Sequence, residues 1–200
     1  MEASIKTMMK AKRGGIIRKL KLLIIGLLVA ALFSGIIFPY SIFSVYPTVA
    51  VETDEMRQQK YKEDLAVLQS LYEEKALQPD YVVSYSISLL ALYEMSWLTD
   101  FNRPMKRAQW GQILTNVQSA KNALIHLGFQ ESMLSTEAKM YLEQMVDLLM
   151  HMEETVAYHI NKQGTYSRKR INIAISNLQN DIAFSLGLYT RFWQEYYNDK

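Results

Sequence analysis

The amino-acid sequence predicts an all-α protein, with an N-terminal transmembrane helix followed by an up-down bundle of about five helices. Three features predict it: residues 22–51 carry no charge, apolar residues beyond Val51 recur every three or four positions without strand-like alternation, and the loops between helical segments are short. Two hundred residues, half of them apolar, suffice for one anchor and one core, so a second folded domain is not expected.

The chain divides into a basic cytoplasmic tail (1–21), a transmembrane anchor (22–46), a stalk (47–52) and an extracytoplasmic helical bundle (53–200). Leu22 to Phe38 reads LLIIGLLVAALFSGIIF, apolar apart from Ser34 and two glycines, and it lacks the polar face that a soluble core helix of this length needs. Tyr40 and Tyr46 stand where an interfacial aromatic belt is expected, and Pro39 and Pro47 end the span. Seven cations precede the segment (Lys6, Lys10, Lys12, Arg13, Arg18, Lys19, Lys21), whereas Glu52, Asp54 and Glu55 follow it. That asymmetry places the N-terminus in the cytoplasm and the bundle outside, in a single-pass arrangement at the plasma membrane. A cleaved signal is the competing reading, since Thr48-Val49-Ala50 resembles a processing site, but the apolar run is long for a signal and ends far from that site.

The first bundle helix is expected over Thr53–Leu77, capped by Thr53, with Tyr61, Leu65, Leu68 and Tyr72 as its inner stripe. Gln78-Pro79-Asp80 restarts the chain, and a second helix follows over Asp80–Thr99. That helix holds a single charge, Glu94, between Tyr81 and Leu98. It is read as the central, all-round buried member of the bundle, with a second membrane span as the alternative. In that two-span topology the C-terminal helices are cytoplasmic. A third helix is expected from Arg103, capped by Asn102 with Pro104 in its first turn, to Leu127. It buries Trp110, Leu114, Val117 and Leu124. Ser135 caps a fourth helix to Lys162, with Leu142, Met145, Leu149, Met152 and Val156 inside and Gly164 as its stop. The fifth begins near Ser167 and runs almost to the C-terminus on Ile171, Ile175, Leu178, Ile182, Tyr189, Trp193 and Tyr196, interrupted at Ser185.

Several function classes find no support. Beyond the tail the chain carries a net charge of −4, which gives the bundle no overall basic field for nucleic acid. Without cysteine there are no disulfides, thiolate nucleophiles or Cys-based zinc sites. No phosphate-cradling loop, dinucleotide fingerprint or nucleophile elbow occurs. Glu143, Asp147, His151 and Glu154 share a helical face, but it lies opposite the apolar stripe, where a bundle metal site cannot form. Neither catalytic residues, cofactor nor metal is therefore expected.

Two residue sets remain. In an up-down bundle the loops after the second and fourth helices return to the membrane, and these carry Arg103, Lys106, Arg107, Lys162, Arg168, Lys169 and Arg170 as possible lipid-facing cations. Three cations in the first turn of the last helix oppose its dipole, which anionic headgroups would compensate; the alternative is a solvated loop. Tyr189, Phe192, Trp193 and Tyr196 share one arc of the last helix, either closing the core or offering a protein partner an anchor. The expected function is a non-enzymatic, membrane-anchored interaction, scaffold or accessory module in the cell envelope, with lipids and a protein as partners and no nucleic acid. A ligand-sensing bundle is the alternative, and it requires a pocket between helices with convergent polar groups.

Overall fold

The computed structural model describes residues 2–42, 44, 47–51, 54–77, 80–100, 104–129 and 134–198, with side chains from Lys19 onward. Among the described residues it is all-α with one small ladder: α1 (Glu2–Ile37), β1 (Thr48–Val49), α2 (Glu55–Lys75), α3 (Tyr81–Tyr93), α4 (Ser96–Thr99), β2 (Met105–Lys106), α5 (Gln109–Gly128), α6 (Thr136–Lys162) and α7 (Arg168–Asn198).

Over Lys19–Ile37, α1 is long and apolar enough to cross a membrane, and only 6% of that stretch is buried. The helix stops before Pro39, whose ring excludes the next turn. It is the one helix of that length and apolarity among the described residues. Residues 81–98, offered above as a second span, break at Glu94 into α3 and α4, and the 13 residues of α3 extend only about 20 Å at 1.5 Å per residue.

The remaining helices start where local chemistry allows. Asp54 Oδ1 accepts from Met56 N at 3.1 Å, so Asp54 caps α2; Thr53, the expected cap, lies outside the described residues. Asp80 accepts from Val83 N and Ser135 from Ala138 N, each at 3.1 Å, satisfying donors that helix starts leave orphaned. The third bundle helix begins later than expected. Met105 and Lys106 pair antiparallel with Val49 and Thr48, which commits the backbone around Pro104 to a ladder and delays α5 to Gln109. Asn102 and Arg103, the cap and start assigned to that helix, lie outside the described residues.

Contacts between helices fix their directions. Tyr85 stacks on His126 while Asn116 donates to the Ala91 carbonyl, so α3 and α5 are antiparallel. Gly128 lies against Leu142, and Trp110 meets His159, which makes α5 and α6 antiparallel as well. Arg57 bonds Asn180 while Tyr72 packs on Trp193, so α2 and α7 run parallel and close the up-down bundle.

The second bundle helix is not buried all round as expected; it packs one face on α7. Thirteen residues of α7 are buried, whereas α3 exposes Tyr81, Ser84, Ile87 and Ala91 along one face. Two buried hydroxyl pairs lock α3 onto it, Ser86 Oγ with Tyr189 Oη at 2.6 Å and Tyr93 Oη with Ser185 Oγ at 2.8 Å. Ser185 therefore does not interrupt the stripe; it supplies a polar partner inside it.

Candidate functional site

The base of the bundle, where α1 enters, gathers residues from across the sequence. Tyr40 is buried, 1% exposed, and its hydroxyl donates to the Met105 carbonyl at 2.8 Å. The interfacial-belt expectation for Tyr40 is thereby corrected: adjacency to Pro39 and the apolar run suggested an interface, but the β1–β2 ladder brings an acceptor to its hydroxyl. Tyr46 lies outside the described residues. Arg107 Nη1 donates to the Tyr40 carbonyl at 3.3 Å.

Arg168 performs the longest-range fastening. Its Nε donates to the Ile36 carbonyl at 3.0 Å and its Nη1 to the Thr48 carbonyl at 3.1 Å. The planar guanidinium fork thus satisfies an orphan carbonyl in the last turn of α1 and the start of the β1 ladder from the first turn of α7. These bonds span 132 and 120 positions of sequence.

Of the seven cations assigned to the returning loops, Arg103 lies outside the described residues, and Arg107 and Arg168 fasten the base. Lys106, Lys162, Lys169 and Arg170 are exposed on β2, the end of α6 and the first turn of α7. The Arg170 guanidinium lies 4.4 Å from the centroid of the Tyr166 ring. His159 sits among Trp110, Tyr158 and Tyr166, with ring centroids 5.4–5.7 Å away. Burial, reinforced by the Arg170 charge, pushes its imidazole below the ordinary value.

The aromatic set at the other end of α7 is core. Tyr189, Phe192, Trp193 and Tyr196 are all at most 4% exposed. Trp193 contacts Tyr72, Tyr189 and Tyr197, and Tyr197 donates to Asp80, the cap of α3. These rings close the bundle, and as placed they present no surface to a partner.

A groove of about 530 Å³ runs between α2 and α7, lined by Arg57, Lys60, Asp64, Val67, Phe184 and Arg191 among others. Phe184 is 60% exposed, and Gly187 leaves open space above its backbone. Beside it, sharing Arg57, Tyr61 and Ala183, a small cavity reaches Gln58, whose amide is buried and has no hydrogen-bond partner. Periodicity did not reveal this groove, because its lining comes from two helices far apart in sequence. The run Glu143, Asp147, His151 and Glu154 is exposed, and among the described residues no group of three acidic or histidine side chains converges on a metal-sized site.

No protein-family model, curated protein or solved structure matches the chain.

Proposed function

We propose that this chain is a single-span membrane protein whose helical bundle stands on the side opposite the basic tail and acts as a non-enzymatic interaction or scaffold module of the cell envelope. The observation that carries the reading is the bonding of the bundle's base to the end of α1 through Arg168, Tyr40 and the β1–β2 ladder. A cut after Ala50 would strip away the acceptors of Arg168 and the ladder partner of Met105, which supports a retained helix over a removed signal. The 19 residues of Lys19–Ile37 span about 28 Å at 1.5 Å per residue, close to the thickness of a hydrocarbon core.

Orientation follows from sequence-adjacent charge. The tail concentrates its cations directly before the span, whereas those at the base lie far downstream, beyond the short flanks that govern insertion. The cations of the folded base do not therefore reverse the topology. A module reading suits the site chemistry: the base fastens, the aromatic end closes, and among the described residues neither brings a nucleophile to a base.

The test is membrane expression of the 200-residue chain, followed by an alkaline carbonate wash and an intact-mass measurement. Retention in the pellet at 23.2 kDa supports the proposal. Release into the wash, or a mass matching a chain that begins at Val51, overturns it.

A second reading rests on the groove between α2 and α7. The unpaired Gln58 amide beside Arg57, Lys60 and Arg191 is what a ligand-sensing bundle needs. Thermal stabilisation by a small soluble ligand would favour sensing; copurification of a stoichiometric protein would favour the module.

A further inference from the structure

We infer that the base of the bundle is a docking surface for anionic lipid headgroups, with Lys106, Lys162, Lys169 and Arg170 as its cations. The inference rests on the reading of α1 as a membrane span. Given that span, the hydrogen bond from Arg168 to the Ile36 carbonyl sets the first turn of α7 at the level where hydrocarbon ends and headgroups begin. Lys169 and Arg170 follow directly in that turn. Lys106 is held at the same level by its ladder partner Thr48, whose carbonyl Arg168 also binds. Lys162 closes α6 immediately before the turn that leads into α7.

Three further observations favour lipid over a solvated loop. All four cations are exposed, and no acidic side chain among the described residues pairs with them. The first turn of α7 carries no acid, so its cations face the unfavourable end of the helix dipole without internal compensation. Apolar and amphipathic side chains flank the patch: Ile42 is 87% exposed just past the end of α1, and Tyr158 is 51% exposed beside His159 and Tyr166. Ile42 would otherwise stand in water, and tyrosine favours the interface because its ring and hydroxyl prefer different sides.

The docking holds the bundle in one tilt. Cations from β2, α6 and α7 meeting the same headgroup layer add to the fastening by Arg168, Tyr40 and the β1–β2 ladder. Cations near an anionic surface act additively and are screened by salt, so both dependences should appear.

The experiment uses the full chain in nanodiscs of phosphatidylcholine alone or with roughly one third phosphatidylglycerol, reading backbone hydrogen exchange. Exchange over 104–108 and 166–172 is expected to be at least about fivefold slower in the anionic discs, and the difference should collapse at high salt. The variant K106Q/K162Q/K169Q/R170Q should lose the difference while K139Q, on the outside of α6, keeps it. Equal exchange in the two discs overturns the proposal, as does a difference that survives in the fourfold variant. Slowing in phosphatidylcholine discs by added inorganic phosphate assigns the patch to free phosphate and also overturns it. Failure of the chain to enter either disc overturns the span itself, and this docking with it.

Discussion

Removing the hydroxyl of Ser185 tests whether a buried hydroxyl pair joins α3 to α7. Ser185 is fully buried and faces Tyr93, whose own hydroxyl has no route to water; burial drives that phenol far above its ordinary value. Ser185→Ala leaves the Tyr93 hydroxyl buried and unpaired, which costs about 1–3 kcal/mol. For a chain of this size that corresponds to a melting temperature lower by about 2–12 °C. Tyr93→Phe should cost less, about 0.5–1 kcal/mol, because the Ser185 hydroxyl can turn back to the carbonyl one helical turn earlier. The double variant Ser185→Ala/Tyr93→Phe removes donor and acceptor together and should be little worse than Tyr93→Phe alone. Thermal unfolding of the detergent-solubilised chain by circular dichroism, run as a double-mutant cycle, reads all three. A serine substitution that leaves the melting temperature unchanged, or a double variant equal to the sum of the singles, would refute the buried pair and the packing of α3 on α7 through it.

Three other outcomes are expected. Trp193→Ala empties a core site packed by Tyr72, Tyr189 and Tyr197 and should cost about 3–5 kcal/mol, read as a lost or strongly lowered unfolding transition; a near-native melt would mean the ring is not core. Lys121 and Gln118 hold the Glu153 carboxyl below its usual 4.5, so the pair adds stability above that value that is lost as pH falls through the folded-state value. Glu153→Gln should therefore flatten the acid decline by about 0.2–1 kcal/mol in a pH series of melts, and an unchanged decline would remove the pair from the account. His159 is likewise depressed, from 6.5, by burial and Arg170: the neutral ring favours folding above 6.5, and this contribution is lost as pH falls towards the folded-state value. His159→Gln should flatten the same series just below 6.5, and a slope equal to that of the parent would contradict the burial argument.

Local signals in the sequence carried much of the architecture. The apolar run of α1, the chain restart at Asp80, the Ser135 cap and the stripes of α6 and α7 depend on neighbours within a few residues, and each is found where composition and period indicate. Features that depend on distant partners were not legible. A two-residue ladder has no alternation to detect, so β1 and β2 went unseen, and α5 was assigned too early a start. Nothing near Arg168 in sequence announces Ile36, and three cations in a row read as a solvated or lipid-facing set when the first of them is a clamp. The second bundle helix, by its near absence of charge, looked central. Its exposed face holds Tyr81, Ser84, Ile87 and Ala91, whereas α7 hides serine and glutamine in its buried face, so hydropathy alone does not tell buried from exposed positions here.

The most direct test of the central claim uses the absence of native cysteine. Single cysteines at Ala11, Ser70, Ser119 and Glu154 would be probed in intact cells with a membrane-impermeant maleimide, on protein recovered from carbonate-washed membranes. The account expects labelling at the three bundle positions and none at Ala11 until the cells are opened. Labelling at Ala11 alone would invert the topology, and labelling at only some of the bundle positions would mean the bundle does not stand whole on one side of the membrane.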